Sequence, residues 1–202
     1  TLLPPAGAGK QRGKAMGHCL LSGQPGIGKT SVGRLIASEC GGGFVEVLAR
    51  SITDTHQLFS LLVGLRRGGV LFLDEIHSLP EGCRDFLYSA LQEKAVDLMH
   101  REGTRSQEVR VRLEPFTLVG ATTELGALPR AFRDRFPLQE SLDLYEEEDL
   151  ARVVVKAGKR LGRTVTAEAS REVARRSRGT PRVAIRILGR ARDLAQLAGT
   201  LE

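Results

Sequence analysis

No stretch of this chain is apolar for long. The hydrophobic fraction is 41% of 202 residues, yet no run approaches the ~20 residues that a membrane-spanning helix needs, so no membrane role is expected. A secretory leader, internal repeats and low-complexity segments are also missing from the pattern. Cysteine is scarce: Cys19, Cys40 and Cys83 are odd in number, unclustered and without CxxC spacing. That argues against a zinc site or a disulfide framework and for reduced thiols in a cytoplasmic protein. The four histidines are scattered and suggest no metal centre. The chain is long enough for one large domain, or one domain plus a small one. Its net charge of +6 gives mild support for a polyanionic partner, part of which a bound nucleotide would satisfy. Both ends look trimmed, since Thr1 is not an initiator Met and Leu201-Glu202 resembles a cloning remnant. The expectation is a fragment of a longer protein.

Against those absences one stretch stands out. Gly23 to Thr30 reads GQPGIGKT and fits G-x-x-x-x-G-K-[ST], the phosphate-binding loop of nucleotide hydrolases. Gly23, Gly26 and Gly28 let the backbone curl so that successive N–H groups face phosphate oxygens. Lys29 supplies charge for the β- and γ-phosphates, and the Thr30 hydroxyl is suited to Mg²⁺. Pro25, Ile27 and Ser31 complete the expected nucleotide contacts. The context agrees: His18 to Leu21 reads as a buried strand, and Val32, Leu35 and Ile36 fall at helical spacing after the loop. A helix starting at Lys29 aims its positive end at the phosphates.

Along the chain, 1–17 reads as a loop and a short helix. Strands are expected at 44–48, 69–75 and 116–121. Helices are expected from Thr53 or Asp54 to about Leu65, from Arg84 to Glu93, from Glu146 to Leu161, from the Thr166 cap to Arg176, and onward from Thr180-Pro181. Between 94 and 114, Ala95, Val96, Leu98 and Met99 form one mixed arm, and Val109, Val111 and Leu113 alternate with Arg110, Arg112 and Glu114 in a half-buried second arm, a β-hairpin turning at Glu102-Gly103-Thr104. The layout is an α/β nucleotide domain over 1–144 carrying that hairpin, then a small helical domain over 145–202.

The run Gly69 to Glu75 is apolar on both faces and ends in two carboxylates, which suits a central parallel strand whose carboxyl end meets ligand. Asp74 is expected to hold Mg²⁺ through its water shell, and Glu75 to polarise the attacking water as general base. On LFLDEIHSLP, FTLVGATTELG, LPRAFRDRF and SRGTPRVAIRILGRARD, in that order, the chain resembles the RuvB family of AAA+ branch-migration motors over about Gly17 to Ala195. The resemblance implies a P-loop AAA+ domain, with a five-stranded parallel sheet between helices and a small all-α lid. It implies Mg-ATP hydrolysis, DNA as the substrate of the longer protein at Holliday junctions, and a homo-oligomeric ring. Thr123 then becomes the sensor of the γ-phosphate or lytic water, with Thr122 the alternative. Arg135 becomes the arginine finger acting on the next subunit, with Arg133 the alternative and a surface pair with Asp134 the bland reading. Arg182 becomes the second sensor, and Tyr145 an aromatic contact for the base.

The chain departs from the family in four places. An opening segment that seats the adenine and a closing winged-helix domain are not recognised in it, and Glu124 stands where the family usually has Arg. The family hairpin carries an apolar tip that docks on the partner RuvA, whereas here His100 to Ser106 is polar and basic. Affinity for such a partner is expected to be weak, with Arg101, Arg105, Arg110 and Arg112 the alternative contacts for DNA phosphate or an acidic partner. Rival readings are another AAA+ role, such as a clamp loader or a phage or defence ATPase, and an ATP-gated scaffold with little turnover.

Overall fold

The alternation of side chains along three strands builds the centre of the molecule. In β1 (Cys19–Gly23), β3 (Val70–Asp74) and β6 (Thr117–Thr122), odd and even positions are buried alike, as parallel strands covered on both faces require. Cys19, Leu21, Val70, Phe72, Val119 and Ala121 form one core with Ile36 and Ala37 of helix α1 (Lys29–Cys40). Leu20, Leu71, Leu73 and Leu118 belong to the other, with Leu58 and Leu62 of α2 (Thr55–Val63) and Cys83, Leu87, Ala90 and Leu91 of α3 (Glu81–Glu93). The computed structural model describes residues 15–102 and 105–199, with only the backbone for 98–102 and 105–108.

The strand order is β2-β3-β6-β1-β7, a five-stranded parallel sheet between helices, with β2 (Phe44–Leu48) and β7 (Leu138–Leu142) at its edges. The register sets Leu48 beside Asp74 and Ser22 beside Thr122. β1 and β3 both lie next to β6, so their carboxyl ends open at the same edge of the sheet. The fifth strand, β7, had no counterpart in the sequence pattern. Helix α2 is capped by Asp54, whose carboxylate accepts the Gln57 N–H at 2.9 Å. It ends at Val63, two residues short of the expected Leu65. Helix α3 begins at Glu81, directly after Pro80, rather than at Arg84.

α3 ends on Lys94, whose left-handed backbone (φ 54) turns the chain into the hairpin. Strands β4 (Ala95–Glu102) and β5 (Arg105–Arg112) pair antiparallel, from Ala95 opposite Arg112 to Glu102 opposite Arg105. The root is apolar, with Ala95, Val96 and Leu113 buried, whereas Val109 is 41% exposed. Arg110 pairs with Glu93 and approaches Asp97 at 3.9 Å, so part of its charge is spent at the hairpin's own root. The expected turn residues Gly103 and Thr104 lie outside the described residues, as do 1–14 and 200–202.

The chain divides into two compact units, Thr1–Ser22 with Thr30–Ser141, and Gly23–Lys29 with Leu142–Glu202. The second unit holds α5 (Glu147–Arg160), α6 (Ala167–Arg176) and α7 (Pro181–Leu197), packed around Leu150, Val154, Ala174, Ala184 and Leu188. The first turn of α5 is acidic and its last turn basic, which complements the helix dipole. Thr166 caps α6 by accepting the Ala169 N–H at 3.2 Å. On α7 the buried side is Pro181, Ala184 and Leu188; Val183 and Ile187 are half-buried, while Ala191 and Leu194 face solvent. A four-residue helix, α4 (Arg130–Arg133), precedes β7.

Candidate nucleotide site

The phosphate loop leaves β1 and enters α1. Its glycines Gly23, Gly26 and Gly28 have φ of 140°, 84° and 108°. Space restricts Gly26 as well as conformation: a methyl group there would lie 2.7 Å from Arg182 Cβ. Lys29 is buried, and its Nζ donates to the carbonyls of Gly23 (2.8 Å) and Gln24 (3.2 Å). The loop therefore holds its own cation at the first turn of α1. Ile27 is buried and anchors the loop, Pro25 is exposed, and Thr30 and Ser31 follow within the first turn, half-buried and exposed. The same unit brings Arg182 and Tyr145 to the loop. Arg182 N–H donates to Gly26 O at 3.2 Å, and a methyl group on Gly28 would lie 3.9 Å from the Tyr145 hydroxyl. Tyr145 N–H in turn donates to Gly179 O at 2.9 Å.

In the other unit β3 ends at Asp74, and Glu75 follows it. Asp74 Oδ1 accepts the Glu75 N–H at 3.1 Å. Glu75 itself is left-handed, with φ 50° and ψ 51°. Its Oε2 accepts two hydrogen bonds from Thr123, from N–H at 3.1 Å and from Oγ1–H at 2.9 Å. Thr122, fully buried, accepts the Glu124 N–H at 2.9 Å and bonds His77 Nδ1 at 2.9 Å. His77 lies in the short 3-10 turn Ile76–Ser78, with Nδ1 3.4 Å from Glu75 Oε2 and Nε2 3.9 Å from Glu124 Oε1. That turn packs onto β6 at Gly120, where a methyl group would meet Ile76 Cδ1 at 2.9 Å. Of the two threonines, Thr123 meets the carboxylate and Thr122 supports its neighbours.

Arg135 does not pair with Asp134, which lies 4.0 Å from Arg130 instead. Its guanidinium stacks on Tyr88 of α3, 4.3 Å from the ring centroid, and donates to the phenol oxygen. His77 and Tyr88 had no role assigned from the sequence. His77 sits within the LFLDEIHSLP motif, two residues past Glu75, which was the signal available for it. The thiols take no part: burial, with Glu140 nearby, pushes Cys19 up to about 11, and burial likewise raises Cys83. All three cysteines are free.

Among the described residues no cluster of three or more His, Cys, Asp or Glu side chains is set to hold a metal. That is compatible with Mg²⁺, which takes hard oxygen donors, keeps several waters and leans on substrate phosphates more than on a protein cage. The Thr30 hydroxyl and the Asp74 carboxylate are donors of that kind. Nor is any helix among the described residues long and apolar enough to cross a membrane.

Residues 5–142 match the family model described as the Holliday junction DNA helicase RuvB P-loop domain, and residues 145–202 match the RuvB AAA lid domain. A Holliday junction branch migration complex subunit RuvB from Chlorobium phaeobacteroides is 48% identical over 95% of this chain and 55% of its own length. That from Prosthecochloris aestuarii is 45% identical over 95% of this chain and 56% of its own length. The chain thus spans about half the length of the curated relatives it matches. The solved structure of the Thermotoga maritima RuvB Holliday junction branch migration motor superposes with a TM-score of 0.82 at 35% identity, covering 95% of this chain and 59% of that one. NtrX from Brucella abortus in complex with ADP, at 18% identity, 95% coverage of this chain, 47% of that one and a TM-score of 0.67, shares the fold alone. With both family models together reaching from residue 5 to residue 202, the chain belongs to the RuvB family of P-loop AAA+ proteins.

Proposed function

We propose that this chain is the ATP-hydrolysing part of a DNA branch-migration motor, with a nucleotide domain over 1–144 and a lid over 145–202. What carries the proposal is the pairing of Glu75, just past the end of β3, with Thr123, just past the end of the neighbouring strand β6, with Asp74 preceding Glu75 at the strand end. The phosphate loop and Lys29 bind the triphosphate, the amides as donors and Lys29 by exchanging its carbonyl partners for phosphate oxygens. Thr30 and Asp74 would hold Mg²⁺, which when bound neutralises the phosphate oxygens. Glu75 takes a proton from water on Oε1, because Thr123 occupies Oε2. The water oxygen forms the new bond to the γ-phosphorus as the bond to the ADP oxygen breaks. Thr123 keeps the base in place, and Arg182 and Tyr145 tie the lid to the bound nucleotide.

The family match, and the relatives' being Holliday junction branch migration complex subunits, support four-way junction DNA as substrate. A ring of copies in which Arg135 acts on the neighbour's nucleotide, and work in the cytoplasm, belong to the same proposed reading. The sequence of the hairpin tip supports only weak docking of a RuvA-like partner. The test is ATP turnover with and without four-way junction DNA, wild type against Glu75→Gln. General bases contribute about 10²–10⁴ in rate, so the substitution should cut turnover at least about a hundredfold while calorimetry finds ATP binding unchanged. Hydrolysis near the wild-type rate would remove Glu75 from the role. Failure of junction DNA to bind or to alter turnover at low salt would remove the DNA part.

A further inference from the structure

Helix α3 buries Cys83, Leu87, Ala90 and Leu91. Tyr88 falls on the flank of that stripe and is half-buried. Its phenol takes no part in the chemistry above. The segment that carries Arg135 is fixed from beneath. Phe132 and Phe136 are buried and meet edge-on, with ring centroids 5.5 Å apart. Arg135 N–H donates to Phe132 O at 3.2 Å and Phe136 N–H to Arg133 O at 2.9 Å. Gln139 Nε2 donates to both Arg133 O (3.0 Å) and Phe136 O (3.2 Å). The backbone under Arg135 is therefore held, and only its long side chain remains to be ordered.

Tyr88 orders it. The ring receives the face of the guanidinium at 4.3 Å and the hydroxyl accepts from Nη2, a cation–π contact and a charge-assisted hydrogen bond on the same group. Arg135 Nε is buried without a hydrogen-bond partner among the described residues. A surface arginine free to choose its rotamer would turn that N–H to water. This side chain is kept in one place at some cost.

We propose that Tyr88 is a positioning residue for Arg135, presetting the guanidinium for the γ-phosphate of ATP held by another copy of the chain. The proposal rests on Arg135 being the arginine finger. Preorganisation of this kind raises rate without new contacts to the ground state. The rotamer freedom of a loose arginine sets a ceiling of about thirtyfold on the gain.

Two substitutions separate ring from hydroxyl. Tyr88→Leu removes both while leaving an apolar residue against α3, and Tyr88→Phe keeps the ring. With protein concentration varied so that copies can associate, Tyr88→Leu should lower kcat about ten- to thirtyfold at unchanged KM. Tyr88→Phe should recover most of that loss. The double variant Tyr88→Leu/Arg135→Ala should be no slower than Arg135→Ala. Wild-type kcat in Tyr88→Leu beside an inactive Arg135→Ala overturns the proposal and spares the finger; so does an additive loss in the double variant. Wild-type turnover in Arg135→Ala overturns the finger itself. A second measurement needs neither turnover nor the Leu variant to fold. The chain has no Trp and two Tyr, so Tyr145→Phe leaves Tyr88 as the only tyrosine emitter. Arg135→Ala in that background should change its emission, and an unchanged spectrum means the contact is not formed.

Discussion

Thr123→Val isolates one hydrogen bond at the centre of the site. Valine matches threonine in volume and β-branching and replaces the hydroxyl by a methyl group, so the end of β6 should keep its backbone. Glu75 Oε2 then loses the 2.9 Å bond from Oγ1–H and keeps the 3.1 Å bond from the Thr123 N–H. A hydrogen bond to a charged group contributes about 1.5–3 kcal/mol. At about 1.4 kcal/mol per tenfold in rate, its full loss would cost roughly ten- to hundredfold in kcat. The Glu75 side chain is 29% exposed, so water replaces part of the bond and the expected loss lies near the lower end. ATP affinity should stay as it is, because the phosphate-binding groups are untouched. The assay is steady-state turnover with junction DNA, paired with calorimetry of ATP binding. An unchanged kcat, or a raised KM at unchanged kcat, would show that Thr123 does not hold the base.

Two further perturbations probe the loop and the sheet. Lys29→Ala removes a cation that already lies against the loop carbonyls, and ATP affinity should fall at least about tenfold; wild-type affinity by calorimetry would refute the loop assignment. His18, just before β1, accepts the Leu118 N–H on Nδ1 at 3.0 Å, and burial, then Lys94, lowers it from 6.5 to about 4. The folded state thus disfavours the proton that the unfolded chain accepts, so stability should be fully present above pH 6.5 and be lost as pH falls toward about 4. Denaturant titrations at pH 7 and pH 5 check this, and a His18→Gln variant with the same slope between them would assign the effect to other groups.

The parts of this fold visible in the sequence were those whose cause is local. β1, β3 and β6 are buried on both faces, so they read as largely apolar runs, closed by Gly23, by Asp74-Glu75 and by Thr122-Thr123 in turn. The phosphate loop and the Thr166 and Asp54 caps are short patterns with a stated mechanism. β7 was missed because it is an edge strand: LQESL alternates half-buried and exposed positions and carries Glu140, so nothing in its composition separates it from a loop. The start of α3 was missed because Glu81-Gly82 offers little apolar periodicity, although Pro80 marks the boundary. At the site, residue types were legible and partners were not. Thr123 meets Glu75 across 48 positions, Thr122 meets His77 across 45, and Arg135 meets Tyr88 across 47. Only the sheet order β3-β6 brings the first two pairs together. Asp134 beside Arg135 was a sequence neighbour, yet Asp134 lies closer to Arg130, one helical turn back.

The backbone at Glu75 ties stability to chemistry. A left-handed conformation costs an L-residue with a Cβ roughly 1–2 kcal/mol, and glycine would occupy it without strain. Yet the position carries the carboxylate on which the proposed reaction depends. What holds it is the turn that follows: Ser78 N–H donates to Glu75 O at 2.8 Å and Leu79 N–H to Ile76 O at 3.2 Å. Ile76 is fully buried on β6, in space that exists because residue 120 is glycine. The strand points one way, the turn points another, and the residue between them is thrown toward Thr123. A straight continuation of β3 would have alternated Glu75 to the other face of the sheet from Asp74. The strained residue instead sends two consecutive carboxylates from one strand end into different jobs, Asp74 on the backbone of its neighbour and Glu75 on the adjacent strand. On the proposed mechanism, strain at this point is the geometric means by which one strand would supply both a metal-side oxygen and a base.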